Sequence, residues 1–273
     1  MQGRDRPYLL LLALPALVVF TAFFLLPMGR LAIAGGSGPR GIAAYAAIVT
    51  EPRYFRSLFS TVILSLAVTA TTLVVSGVAG VFLERNRFPG RSVLVALLTF
   101  PLAFPGVVIG FMVILLAGRQ GVIADLTRIL FGHRLVFAYS MAGLLVGYLY
   151  FSIPRVILTI MAAAEKLDRR LEEAARSLGA TPWQVIRDVL IPGLTPALLS
   201  SGAICFATSM GAFGTAFTLA TDIDVLPMTI YTEFTLRANI ATAAALSIVL
   251  GAMTWLVLAV ARTAAGSTVA AAG

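Results

Sequence analysis

Glu173-Ala174-Ala175-Arg176-Ser177-Leu178-Gly179, followed ten residues later by Val189-Leu190-Ile191-Pro192, lies in a polar gap between two long apolar runs. Leu167, Leu171, Ala174, Ala175 and Leu178 recur at helical spacing and make one apolar stripe. Lys166, Arg169, Arg170, Glu172, Glu173 and Arg176 cover the rest of that helix. Gly179 is a natural stop, because glycine tolerates positive φ. Thr181 reads as an N-cap, Pro182 as the first helical residue and Gln184 as the return arm of a capping box. Pro192-Gly193 is expected to end this second helix. The local expectation is helix, glycine corner, helix, standing beside a membrane. The same spacing also fits an amphipathic connector lying on lipid headgroups.

The membrane is read from composition. The 273 residues are 59% hydrophobic and 12% charged, against about 25% charged in soluble domains. Six apolar runs have the length of a membrane span, at 8–28, 58–83, 93–116, 136–160, 194–220 and 240–260. The first follows Arg4 and Arg6 as a signal sequence would, but it is long, holds Pro15 and lacks a clear small-x-small cleavage site. The fold class is therefore all-α, a polytopic membrane protein of six transmembrane helices. Basic residues set the orientation. Three Arg crowd the short 84–92 loop and five bases fill 161–193, so both loops and both termini are expected on the cytoplasmic side.

Several chemistries are excluded. The single lysine, Lys166, follows Glu165 and no Gly-x4-Gly-Lys-Ser/Thr exists, so the chain has no P-loop for ATP. One cysteine, Cys205, permits no intrachain disulfide. The lone His133 is no metal site by itself. Hydrolase and zinc-protease motifs are absent, and nothing asks for a cofactor or marks a catalytic residue. The net charge of +8 fits basic cytoplasmic loops rather than nucleic acid, because no basic patch is interleaved with stacking aromatics.

Along the spans, hydroxyls gather in the second (Thr61, Ser65, Thr69, Thr72, Ser76) and fifth (Ser200, Ser201, Thr208, Ser209), where backbone bonding and helix packing are the ordinary roles. Gly106/Gly110 and Gly143/Gly147 have the spacing of packing seams. Pro101 and Pro105 predict a bend in the third span, either a static kink or a lining of the path. Arg155 in the fourth span is either a pathway charge or an arginine snorkelling to the nearby cytoplasmic face. Thr208-Ser209-Met210-Gly211-Ala212-Phe213 offers polarity, close approach and bulk for a translocation path, with Met210 and Phe213 as gate candidates. Gly35-Gly36-Ser37-Gly38-Pro39 reads as a flexible turn, and Asp222, Asp224 and Glu233 as acids of an outer loop, either solvated or facing a partner or cationic solute.

The stretch 165–192 resembles the EAA loop of binding-protein-dependent ABC importer permeases. That pattern is Glu-Ala-Ala, three residues, Gly, nine residues, Ile, one residue, Leu-Pro; here Val189 stands for Ile and Ile191 for Leu. Leu14-Pro15-Ala16, Leu25-Leu26-Pro27, Pro101-Leu102-Ala103-Phe104-Pro105 and Gly211-Ala212-Phe213-Gly214 further resemble the spermidine/putrescine-like branch, which also covers iron(III), sulfate-like and phosphonate permeases. The resemblance implies a type I permease fold in a bacterial inner membrane, lying in lipid. It implies a second permease subunit, copy or paralogue, two ABC ATPase subunits and a periplasmic solute-binding protein. Glu173, Ala174, Ala175, Gly179 and Pro192 would carry the coupling, and the permease would form the path for a small solute, polyamine-like, phosphonate or similar. On this reading 1–57 is an N-terminal helix and outer loop, 58–261 the permease core with its coupling loop at 162–192, and 262–273 a short tail. The other classes are a secondary transporter or channel, which often pairs acids within the membrane, and a polytopic membrane enzyme.

Overall fold

A computed structural model of the chain describes residues 6–219 and 223–265. Arg4, Asp222 and residues 266–273 of the expected tail lie outside the described residues. The described residues form helices and turns, with six runs long and apolar enough to cross a membrane.

Helix α1 (Arg6–Phe20) passes straight through Pro15. A π-helical turn (Thr21–Leu25) joins it to α2 (Leu26–Gly36). Leu26 N–H donates five residues back, to Thr21 O. That wider turn relieves the clash a proline at position 27 makes with the preceding turn, so Pro27 does not stop the helix. Counted from Leu12, the first span runs on to Gly36, so its end lies beyond the expected 28. Its 25 residues reach about 37 Å at 1.5 Å each, enough for a hydrocarbon core of about 30 Å. Gly35 and Gly36, expected in a turn, are helical, and the turn begins at Ser37.

Helix α3 (Ala43–Thr50) buries Ala44, Ala47 and Ile48, and Tyr45 OH donates to Ala32 O. Helix α4 (Pro52–Arg85) is the second span. The third span differs most from the sequence expectation. Helix α5 (Arg91–Thr99) and a 3₁₀ turn (Phe100–Ala103) end where Phe104 and Pro105 become extended. Helix α6 (Gly106–Ala117) then starts anew, and α7 (Val122–Phe131) follows. Two prolines four residues apart remove donors from consecutive turns, so the span runs Gly106–Phe131 and not 93–116.

Helix α8 (Met141–Lys166) is the fourth span. Helix α9 (Arg169–Ser177) and the short α10 (Pro182–Val185) form the polar loop, and α11 (Ile191–Met210) completes the fifth span. The chain then breaks at Gly211–Phe213 before α12 (Gly214–Leu219). Helices α13 (Leu226–Tyr231) and α14 (Ile240–Ala265) close the described chain, and α14 holds the sixth span.

The chain divides into two compact units, residues up to Arg56 with Thr229–Ala252, and Ser57–Met228 with the chain from Met253 on. In the first unit Glu233 is no loop acid. It is 1% exposed and sits on a π turn (Thr232–Leu236). Its carboxylate accepts from Arg53 at 3.3 Å and from Arg237 at 3.0 Å.

In the second unit Leu64, Val68, Val113, Leu144, Tyr148 and Ile160 anchor the core. Thr61 accepts the Leu226 N–H at 2.7 Å, Ser76 donates to Ile153 O at 3.1 Å and Tyr148 donates to Ala212 O at 2.6 Å. Of the expected glycine seams, Gly106, Gly110 and Gly147 pack against α12, while Gly143 lies against the Phe137 and Ala138 carbonyls. A Cβ on Gly110 would lie 2.5 Å from Thr218 Cβ, and one on Gly147 would lie 2.7 Å from Thr215 Cγ2.

Candidate functional site

The polar loop is built by its own residues. Asp168 caps α9 by accepting the Arg170 N–H at 3.0 Å. At the other end Gly179 has φ +87°. Its N–H donates to Arg176 O at 3.0 Å, and Ala180 N–H donates to Ala175 O at 3.1 Å, the paired bonds of a left-handed helix stop. Thr181 and Gln184 close a reciprocal capping box, with Thr181 N–H to Gln184 Oε1 at 2.7 Å and Gln184 N–H to Thr181 Oγ1 at 3.4 Å.

The second helix does not end at Pro192-Gly193. A π turn (Ile186–Leu190) precedes it, with Ile191 N–H donating to Ile186 O. This is the device already used before Pro27, again one residue ahead of the proline. The helix therefore continues from the corner into the span as one run, Pro182–Met210. Its 29 residues make a rod of about 43 Å. Gly193 permits this course by letting Leu167 in, since a Cβ there would lie 2.7 Å from Leu167 Cδ1.

The two faces of α9 differ from the stripe the sequence suggests. Glu172 is the buried residue, at 8% exposure. It pairs with Arg85 at 2.7 Å and with Arg176 at 3.9 Å. Arg85 Nη2 also donates to Leu167 O at 3.2 Å, and Arg169 Nη2 donates to Glu84 O at 3.0 Å. The end of α4 thus clamps the start of the loop. Glu173, Ala174, Leu171 and Leu178 face outward, Leu178 at 89% exposure, as does Trp183 at 64%; Ala175 is half-buried. A long apolar side chain exposed beside a carboxylate is a surface suited to another protein. Sequence reading missed Glu172, whose partner lies far off in the chain. The only available signal was the density of arginine at 84–92.

A second feature lies among the spans of the same unit. A cavity of about 310 Å³ is lined by Leu102, Phe104, Phe151, Arg155, Thr208 and Phe213, among others. Pro105 holds the extended link between its lining residues Phe104 and Gly106. Thr208 Oγ1 donates to Ile204 O at 2.9 Å, and Thr215 Oγ1 to Gly106 O at 2.9 Å. Arg155 is exposed, and its guanidinium has no hydrogen-bond or ion-pair partner among the described residues. Of the residues the sequence suggested for a path, Arg155, Thr208, Phe213 and the neighbourhood of Pro105 come together here. Met210 and Ser209 do not: both are buried in the packed interior, at 0% and 1% exposure. Among the described residues no three His, Cys, Asp or Glu cluster as a metal site would require.

The family model described as "Binding-protein-dependent transport system inner membrane component" matches residues 76–266. "Sulfate permease 2, chloroplastic" of Chlamydomonas reinhardtii is 33% identical over 215 residues, 76% of this chain; the match spans only 58% of that relative's length. "Molybdenum transport system permease protein ModB" of Escherichia coli K12 is 33% identical over 193 residues, covering 68% of this chain and 81% of that protein. The fold matches a chain in the crystal structure of a bacterial alginate ABC transporter in complex with alginate pentasaccharide-bound periplasmic protein. There the TM-score is 0.81 at 18% identity, over 95% of this chain and 94% of that one. Six apolar helices, the Glu-Ala-Ala corner and these matches agree: the chain belongs to the binding-protein-dependent transport system inner membrane component family, the membrane permeases of ABC importers.

Proposed function

We propose that this chain forms part of the translocation path of an ABC importer and takes up the work of a separate ATPase through its 162–192 loop. The observation that carries this reading is the outward face of α9 and the corner, where Leu171, Glu173, Ala174, Leu178 and Trp183 are exposed together. Glu173, Ala174, Ala175 and Gly179 are the coupling residues, with Pro192 in the rod behind them. An ATPase seated there pushes on a rod that is continuous with the fifth span, so displacement at the corner arrives inside the membrane. The energy source is a partner chain, since the single Lys166 stands in no phosphate-binding loop. Two ATPase subunits, a second permease subunit and a periplasmic binding protein complete the assembly, in the bacterial inner membrane with both termini cytoplasmic. The names of the relatives, for sulfate, for molybdenum and, at 30% identity over 89% of this chain, for 2-aminoethylphosphonate, support a small oxyanion over a polyamine.

The experiment is co-expression with the neighbouring ATPase and binding-protein genes, purification through a tag on this chain, and measurement of ATP hydrolysis with and without loaded binding protein. An ATPase that co-purifies and is stimulated supports the proposal; absence of any co-purifying ATPase sinks it. Orientation is read separately. With Cys205 replaced, cysteine at exposed position 224 should react with an impermeant thiol reagent on intact cells, and cysteine at exposed position 174 should not. The reverse pattern inverts the topology.

A further inference from the structure

We infer that the Arg155 cavity is a passage site for a small water-soluble oxyanion; this deepens the permease reading and rests on it. Helix α8 runs Met141–Lys166, so Arg155 stands about 21 Å from one end and about 16 Å from the other. In a hydrocarbon core about 30 Å thick that is mid-membrane depth, too deep for snorkelling to a headgroup. A guanidinium there is costly when turned to lipid and is found facing water or protein. Arg155 is exposed on the unit's surface, at the wall of the 310 Å³ cavity. That face is therefore the one turned away from lipid.

The charge is also uncompensated. Elsewhere in this unit the buried carboxylate Glu172 is held by Arg85 and Arg176. No carboxylate lines the Arg155 cavity among the described residues. Its other walls are mainly rings and aliphatic groups, with Leu102, Phe104, Phe151 and Phe213 foremost. The hydroxyls of Thr208 and Thr215 already donate to backbone carbonyls. Among the described residues Arg155 thus supplies the only full charge in the lining, and none of them neutralises it. A planar guanidinium fork favours carboxylate, phosphate-like or sulfate-like oxygens and repels a polyamine. The open groove of about 310 Å³ has room for a small oxyanion with part of its hydration shell. One fixed charge without a surrounding cage gives attraction weak enough for release, as a pathway requires.

The test uses the full chain in membrane vesicles, with Cys205→Ala and Thr208→Cys. A sulfonate-bearing and a trimethylammonium-bearing methanethiosulfonate report the local potential through their ratio of labelling rates, each normalised to a free thiol. The ratio should favour the anionic reagent and fall about tenfold on Arg155→Gln, while Arg155→Lys preserves it. Millimolar sulfate should slow labelling more than chloride at equal ionic strength, and this protection should vanish in Arg155→Gln. Phe213→Cys repeats the measurement should Thr208→Cys fail to fold. An unchanged ratio in Arg155→Gln, protection by sulfate no better than by chloride, or a cavity closed to both reagents at both positions overturns the inference. The assay needs no ATPase, so its failure is distinct from failure to co-purify one.

Discussion

Two charged regions of the second unit are built on opposite terms. In the polar loop the buried carboxylate is answered: Glu172 meets Arg85 at 2.7 Å and Arg176 at 3.9 Å. In the cavity among the spans, Arg155 has no partner among the described residues. A charge buried against its counter-charge fixes geometry, since removing either partner strands the other in a low dielectric. An exposed charge without a partner contributes little to folding, since its removal strands no buried counter-charge. The ion pair therefore ties the loop to the end of α4, whereas no such pair holds the Arg155 side chain among the described residues.

That contrast predicts its own largest effect. Arg85 and Glu172 are 13% and 10% exposed at the side chain, and breaking such a pair costs about 3–5 kcal/mol. Glu172→Ala or Arg85→Ala should lower the thermal unfolding midpoint of the detergent-solubilised chain sharply. Arg155→Ala should leave the stability within about 0.5 kcal/mol of wild type. Equal losses at the two sites would erase the distinction between a structural and an open charge.

The parts legible in the sequence were those decided within a few residues. Gly179, Thr181, Pro182 and Gln184 make their corner by bonds to near neighbours, so their identities suffice. The number of spans is likewise local, a matter of apolar length. What failed depended on neighbours out of sight. Pro192 was expected to stop a helix, but a π turn just ahead of it carries the chain onward. Glu233 reads in sequence as an acid of an outer loop, either solvated or facing a partner or cationic solute, yet it is buried and paired with Arg53, distant in sequence. On α9, helical spacing found an apolar stripe and could not say which face turns inward; Arg85 decides that, by holding Glu172. Gly106/Gly110 and Gly143/Gly147 read as packing seams; α12 packs against all of these but Gly143, which lies against the Phe137 and Ala138 carbonyls.

The middle-sized effect tests whether the corner transmits force. A Cβ at Gly179 would meet nothing within 4 Å, so Gly179→Val introduces no clash. Its cost is the strain of φ +87° on a β-branched residue, about 1–2 kcal/mol, confined to the corner. Membrane insertion and the unfolding midpoint should change little, while binding-protein-dependent uptake falls severely. Uptake at wild-type level in Gly179→Val would mean that the loop tolerates a rebuilt corner and is not the rigid end of the rod.

The smallest effect separates two adjacent acids. Neighbouring helix positions point about 100° apart, and the structure puts Glu172 inward and Glu173 outward. From the sequence, Glu173→Ala is expected to matter more than Glu172→Ala. The ion pair to Arg85 divides that expectation in two. For folding, Glu172 is the critical residue and Glu173 is neutral, because an exposed carboxylate leaves no buried charge behind when removed. For assembly, Glu173 is the residue that can reach a partner, since Glu172 is already committed to Arg85. Exposed charge pairs contribute little, so Glu173→Ala should weaken co-purification of the ATPase by about threefold with the unfolding midpoint unchanged. Glu172→Ala, assayed in the fraction that remains folded, should bring the whole corner out of place and lose the ATPase as well. A Glu173→Ala variant that unfolds early, or a stably folded Glu172→Ala, would put the wrong face of α9 against the membrane unit, and the outward surface assigned to the ATPase would fall with it.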